Sequence, residues 1–234
     1  MAADFFAKIA LSPILIAQAL QVRRTAQLLP EPPGPRQGDT GHGPGLSLLI
    51  LGDSSAAGVG ASHQTNALSG QLAQTLARHK SLRWQLEAET GATSASALAH
   101  LNSLEPVAFD TAIVVLGVND VTHQVSLSRF LSRRREIHDT LRKRFKINNI
   151  IASGLPPMGH FPLLPQPLRW TLGRSAFRFD TALARLCSDD PNAMHLPLNL
   201  PFEPKYVATD GFHPSEAAYA KWAEMLGKTL LQTP

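Results

Sequence analysis

Apolar runs alternate with longer stretches of helical period along most of the chain. The runs are followed by glycine, proline or other small residues, and they cover 46–51, 82–88, 111–116, 149–152 and 193–196. Helical spacing of apolar residues extends over 66–80, 94–104, 127–145 and 170–186, and a last helix is expected from about 214 to 231. A short run buried on both faces is typical of a strand in a parallel sheet. The alternation therefore predicts a three-layer α/β fold, with a parallel sheet of about five strands between helices.

The segment before the first predicted strand has a different character. Residues 30–45 contain five prolines and five glycines, which disfavour both a helix and an interior strand, so we interpret them as a linker. Ahead of them, residues 9–20 form an apolar run that is interrupted by Pro13 and is too short to span a bilayer as a helix. The pattern predicts an N-terminal helix with its linker over 1–45, and one large domain over 46–234.

Two uses of the N-terminal helix remain open. Residues 17–19, Ala-Gln-Ala, resemble a signal-peptidase site, but Asp4 beside Lys8 leaves the start of the chain without the net positive charge of an export signal. We prefer a helix that packs on the domain or makes a peripheral contact with a membrane surface. This interpretation predicts a cytoplasmic or membrane-associated protein, with export as the alternative.

Composition and charge narrow the classes of function. The chain of 234 residues is 44% hydrophobic and 17% charged, which excludes a disordered protein. Its net charge of +4 raises the question of a nucleic-acid partner, but seven positive residues share a stretch with apolar residues at near-helical spacing. We therefore expect them to face solvent on an amphipathic helix, and we expect no nucleic-acid partner. The seven residues are Arg133, Arg134, Arg135, Arg142, Lys143, Arg144 and Lys146.

The cysteine and histidine residues, which commonly bind metals, give no indication of a metal site. Cys187 is the only cysteine, which excludes an intrachain disulfide and a zinc site built on several thiolates. The histidines show no HExxH motif or other paired metal spacing. We expect no metal.

Residues with catalytic potential follow the predicted strands, at the edge where α/β sheets bind ligands. The blocks are GDSS at 52–55, TGAT at 90–93, GVND at 117–120 and, before the last helix, DGFHP at 210–214. A serine in such a turn can act as a nucleophile, an asparagine amide can donate to an oxyanion, and an aspartate three residues before a histidine can orient the imidazole. Taken singly, each block is also an ordinary turn or helix cap. A nucleotide-binding module is disfavoured because the chain lacks GxGxxG and GxxxxGK[ST].

Together and in this order, the blocks resemble those of SGNH hydrolases, the GDSL esterase/lipase family, over residues 52–214. The resemblance implies a flavodoxin-like sheet of about five parallel strands and a reaction without an organic cofactor. It implies that Ser54 is the nucleophile, His213 the general base and Asp210 the carboxylate that orients this base. The backbone amides of Ser54 and Gly91 and the side chain of Asn119 are then the oxyanion hole.

Two further expectations concern the surroundings of the nucleophile. We expect Asp53 to hold the turn. Residues 155–165 are apolar and rich in proline, and they predict either a wall of an acyl pocket or a hydrophobic cover packed on the domain. The expected substrate contacts are Pro156, Met158 and Phe161, together with His123 from a nearby loop.

The function expected from these observations is that of a serine esterase. It hydrolyses short- to medium-chain acyl esters through an acyl-enzyme intermediate, with a small-molecule ester as its partner. The alternatives on the same fold are a lysophospholipase or thioesterase and a carbohydrate acetylesterase. A nucleotide- or membrane-binding module is the alternative without catalysis.

Overall fold

A six-stranded sheet with helices on both faces forms the centre of the computed structural model, which describes residues 2–201 and 203–232. The strands are β1 (Gln37–Thr40), β2 (Gly45–Gly52), β3 (Ser81–Ala88), β4 (Thr111–Val115), β5 (Asn149–Ser153) and β6 (Ala193–Leu196). Their order is β1-β3-β2-β4-β5-β6; β2 to β6 run parallel, and β1 pairs antiparallel with β3. The α/β prediction is confirmed, with all five predicted strands present.

The helices connect and cover the strands. They are α1 (Ala2–Thr25), α2 (Ser54–Ala57), α3 (Leu68–Leu76), α4 (Ser94–Ser103), α5 (Val118–Thr122), α6 (Leu127–Phe145), α7 (Leu168–Ser188) and α8 (Glu216–Gln232). Short 3₁₀ helices occupy Gln64–Asn66, Met158–His160 and Pro204–Tyr206.

The sequence of the central strand β2 is almost wholly apolar because both of its faces are buried. Successive side chains point to opposite faces of a strand. Leu48 and Ile50 pack in the core that α3 and α8 cover, whereas Leu49 and Leu51 pack in the core that α4 and α6 cover. In the register of the sheet, Gly52 at the end of β2 lies opposite the ends of both β3 and β4. The turns after these three strands therefore lie side by side.

The edge strand β1 lies within the segment interpreted as a linker, and the sequence pattern does not predict it. Its residues are polar and mostly exposed. All five prolines of the segment lie outside 37–40, so the backbone of these four residues is free to pair along the open edge of β3. The result is a mixed sheet in place of a wholly parallel one.

The prediction that the positive charges of 133–146 face solvent is wrong for Arg134. This side chain is 0% exposed, because position 134 falls on the inward stripe of α6 with Phe130, Ile137 and Leu141. Burial lowers the pKa of Arg134 to about 10, although Asp120 opposes the shift. The other six positive residues are exposed or partly exposed.

The N-terminal helix α1 packs on the domain through one side. Leu15 and Val22 contact the core beside α7, and Gln18 donates to the carbonyl oxygen of Gln166 at 2.6 Å and accepts from the amide of Leu168 at 3.0 Å. Away from this contact, Ile16 remains 60% exposed. Within the described residues, no helix has both the length and the apolar character needed to cross a membrane. The membrane contact and the export signal stay predictions.

Candidate active site

Ser54 is the first residue of helix α2, directly after the central strand. The amide of Asp53 donates to the carbonyl oxygen of Val115 at 3.1 Å, and its carboxylate accepts from the amide of Ser55 at 3.0 Å. The chain bends sharply here because position 52 is glycine: a Cβ would lie 2.3 Å from that of Ala56. As the first amide of a helix, that of Ser54 has no acceptor within the helix.

Burial governs the charge of Asp53. Its side chain caps α2 and is almost inaccessible to solvent. Burial raises the pKa of Asp53 to about 7, and the charge of Asp120 adds to the rise, whereas His213 lowers it. Because it caps the helix, Asp53 is placed to hold the turn, as expected.

Ser54, His213 and Asp210 form a continuous chain of hydrogen bonds. The Nε2 atom of His213 lies 2.9 Å from Oγ of Ser54, although the two residues are 159 positions apart. Its Nδ1 atom lies 2.5 Å from Oδ2 of Asp210. The structure thus brings together the three residues that the sequence selected.

The loop before α8 fixes the Asp210 carboxylate. Its Oδ1 atom accepts from the amides of Phe212 at 2.9 Å and His213 at 3.0 Å, and Gly211, between Asp210 and Phe212, has a φ of 70°. Burial alone raises the pKa of Asp210, but the hydrogen bonds from His213 and Phe212 outweigh it, and the pKa is lowered below its ordinary value. The carboxylate is therefore ionised at neutral pH.

Gly91 lies in the turn after β3, and Asn119 lies in the short helix α5 directly after β4; these two strands flank β2. The Nδ2 atom of Asn119 donates to the carbonyl oxygen of Ala92 at 3.0 Å. The buried carboxylate of Asp120 accepts from both the amide and the hydroxyl of Ser94, each at 3.0 Å. These bonds connect helix α5, which contains Asn119, to the segment that follows Gly91.

A cavity of about 230 Å³ adjoins His213 and Asp53. Its lining is predominantly apolar, and the loop after β5 supplies one wall, including the predicted Pro156 and Phe161. Ser54, Gly91 and Asn119 are not part of the lining.

Two predicted substrate contacts do not line this cavity. Met158 is 0% exposed and packs in the core beside α7, because the 3₁₀ turn at 158–160 directs it inward. His123 is exposed at the end of α5, and its Nδ1 atom lies 2.7 Å from the carbonyl oxygen of Asn119. The loop after β5 is thus both a pocket wall and, through Met158, a part of the core.

A further part of the lining comes from a segment that the sequence analysis did not select. Leu198, Leu200 and Tyr206 line it from the region after β6, and Trp222 lines it from α8. Residues 197–204 have the same sequence signal as the loop after β5, since they are mostly apolar and contain three prolines.

A serine at a strand end, bonded to a histidine that is bonded to an aspartate, is the arrangement of the serine hydrolases. The chain belongs to the GDSL-like Lipase/Acylhydrolase family, whose model matches residues 50–221. It is a carboxylic ester hydrolase. Comparison with curated protein sequences gives no match.

Solved structures of low sequence identity share the fold. An acetylxylan esterase from Geobacillus stearothermophilus, Axe2, aligns with a TM-score of 0.61 at 18% identity, over 80% of this chain and 94% of its own. TesA aligns with a TM-score of 0.59 at 20% identity, over 79% and 97% of the two chains. An extracellular lipase from Streptomyces rimosus aligns with a TM-score of 0.57 at 18% identity, over 78% and 99%.

Proposed function

We propose that the protein is a serine esterase that cleaves short- to medium-chain acyl esters through an acyl-enzyme intermediate. The observation that carries this proposal is the apolar cavity beside the hydrogen bond between Ser54 and His213. An acyl chain in the cavity leaves the ester carbonyl near the serine hydroxyl.

His213 moves one proton in each half of the reaction. Its Nε2 atom takes the proton of Ser54 as Oγ attacks the carbonyl carbon, and it then gives this proton to the departing alcohol oxygen. The carbon–oxygen bond to the alcohol breaks and the acyl group remains on Ser54. In the second half, His213 takes a proton from a water molecule, whose oxygen attacks the acyl carbon. The bond from this carbon to Oγ of Ser54 then breaks, His213 returns the proton to Oγ, and the carboxylic acid leaves. The ionised Asp210 stabilises the imidazolium in both halves.

Three donors stabilise the oxyanion of the tetrahedral intermediate: the amides of Ser54 and Gly91 and Nδ2 of Asn119. The side-by-side position of the turns after β3, β2 and β4 supports this assignment. Asn119 donates one of its two amide hydrogens to Ala92, which leaves the other for the substrate. Removal of one such donor typically lowers kcat by roughly 10²-fold to 10³-fold.

The size and lining of the cavity support an acyl substrate over an acetylated sugar. Its 230 Å³ lies below the roughly 300 to 1,000 Å³ of sites for drug-sized ligands, so it suits a chain of limited length. The Axe2 and Streptomyces rimosus structures show that the fold is compatible with both kinds of enzyme. The apolar walls support an acyl chain, in a simple ester or in a lysophospholipid or thioester.

We expect kcat/KM for p-nitrophenyl esters to rise with acyl length from acetate and then to fall once the cavity is full. Each buried methylene contributes about 0.8 kcal/mol, or up to about fourfold in kcat/KM. Leu200→Trp fills part of the cavity and shifts the optimum to shorter chains. Val107→Trp is the matched control, because Val107 is exposed and does not line the cavity. Turnover of acetylated sugars alone, or of no ester at any length, contradicts the proposal.

A further inference from the structure

Apolar packing at the turn that contains Gly91 is confined to the next residue, Ala92, which is buried in the core. Glu89, Thr90 and Gly91 are all exposed, and a Cβ at position 91 would meet no atom within 4 Å. Gly91 also has a φ of 84°, a conformation that few residues other than glycine adopt. Within the turn region, the amide of Glu89 donates to Gly52 at 3.3 Å and that of Ala92 to Glu89 at 3.1 Å. On the side of the turn before Gly91, the position of the chain therefore depends on polar contacts.

The strongest of these contacts come from the proline-rich segment before β1. One carboxylate oxygen of Glu31 accepts from the amide of Thr90 at 2.8 Å and from its hydroxyl at 2.7 Å. The other oxygen accepts from Arg36 at 2.8 Å, and Arg36 also donates to the carbonyl oxygen of Ala88. Glu31 and Arg36 thus hold the chain on both sides of Glu89, immediately before Gly91.

The segment that supplies Glu31 and Arg36 is itself fixed to the central sheet. The carbonyl oxygen of Arg36 accepts from the amide of Leu86 at 2.7 Å, and pairing of β1 with β3 begins at the next residue. Hydrogen bonds from Thr90 and Arg36 lower the pKa of Glu31 below its ordinary value, although burial alone raises it. Glu31 is therefore ionised at neutral pH.

The same segment also contacts the loop after the nucleophile. The carbonyl oxygen of Pro33 accepts from the amide of Gln64 at 2.8 Å, and the side chain of Gln64 donates to Ala57 in helix α2 at 2.7 Å. The segment therefore connects the helix that begins at Ser54 with the turn that contains Gly91.

We propose that Glu31 is a positioning residue for the oxyanion hole, because it fixes the turn that presents the Gly91 amide. The proposal rests on the proposed role of Gly91 as an oxyanion donor. The family model matches residues 50–221, so Glu31 lies outside that range. The proposal therefore assigns a function in catalysis to a part of the chain that the family model does not cover. The Pro/Gly-rich segment is then a component of the active site as well as a connection to α1.

The test compares Glu31→Ala with a chemically matched control, Asp110→Ala. Asp110 also accepts from one backbone amide and one hydroxyl, those of Ser47 at 2.7 Å each, but near the amino ends of β2 and β4. Steady-state kinetics with a p-nitrophenyl ester, thermal melting and the affinity for an aliphatic trifluoromethyl ketone are measured for both variants. The ketone forms a tetrahedral adduct with a serine nucleophile, so its affinity reports on the oxyanion site.

We expect Glu31→Ala to lower kcat by about 10-fold to 10²-fold, below the loss of an entire donor, with KM within about twofold. The affinity for the ketone falls in parallel with kcat. Glu31→Gln retains an acceptor for Thr90 and restores most of kcat, and Asp110→Ala changes kcat by less than about twofold. An unchanged kcat in Glu31→Ala overturns the proposal. So does a loss that Glu31→Gln fails to restore, or one that Asp110→Ala reproduces at an equal fall in melting temperature.

Asn119→Ala separates this proposal from the function on which it rests. If Asn119→Ala and Glu31→Ala both leave kcat and ketone affinity intact, the proposed oxyanion hole is wrong. If Asn119→Ala lowers both and Glu31→Ala lowers neither, only the role of Glu31 is wrong.

Discussion

Replacing Ser54 by alanine is expected to lower kcat for ester hydrolysis by about 10⁴ to 10⁶ while the fold is retained. The variant loses the atom that becomes acylated, and His213 has no hydroxyl to deprotonate. The change removes one oxygen from a tightly packed turn, so the melting temperature is expected to change little. The measurement is p-nitrophenyl ester hydrolysis together with thermal melting.

The adjacent serine supplies the control. Ser55 lies in the same helix, but His213 bonds to Ser54 and not to it. We expect Ser55→Ala to lose less than about tenfold in kcat. If Ser54→Ala hydrolyses esters as fast as the wild type, the proposed mechanism is wrong.

The second large effect is expected for Asp210→Asn, which lowers kcat by about 10⁴. The amide has nearly the shape of the carboxylate and still accepts from the amides of Phe212 and His213. It carries no charge to stabilise the imidazolium, however, and its NH₂ group favours the wrong tautomer of His213. Steady-state kinetics of this variant, with a circular dichroism spectrum to confirm folding, is the measurement.

A second aspartate–histidine pair provides the control for Asp210→Asn. Oδ1 of Asp180 lies 2.8 Å from Nε2 of His195, in a pair that does not bond to Ser54. We expect Asp180→Asn to keep kcat within about tenfold of the wild type. Equal losses in the two variants would mean that Asp210 acts through general stability and not through His213.

The sequence predicts the parts of the structure that depend on local pattern. The five parallel strands follow from apolar runs that need burial on both faces, as Leu48 to Leu51 show in β2. The carboxyl ends of parallel strands share one edge of the sheet, which is why the sequence identifies Ser54 and Asn119, each just after a strand, as candidates for one site. The contact of His213 with Ser54 does not follow from this rule, because β6 is the far edge strand of the sheet and His213 lies in the loop before α8; the sequence suggested this contact only through the resemblance to SGNH hydrolases.

The features that the sequence did not predict depend on distant partners or combine opposing local signals. The four residues of β1 carry no strand signal, and the open edge of β3 decides their conformation. Arg134 has the charge of a surface residue but occupies an inward helical position. Thr90 and Glu31 are 59 residues apart, and nothing in the local pattern of either predicts their hydrogen bond.

The central claim is that Ser54 is the nucleophile, and reaction of the full chain with a fluorophosphonate tests it most directly. The reagent phosphonylates an activated serine, and mass spectrometry of the digested protein then locates the adduct. We predict a single adduct on Ser54, loss of esterase activity in proportion to labelling, and no adduct in the Ser54→Ala variant. An adduct on another residue that accompanies the loss of activity, or full esterase activity in a protein labelled at Ser54, would contradict the claim.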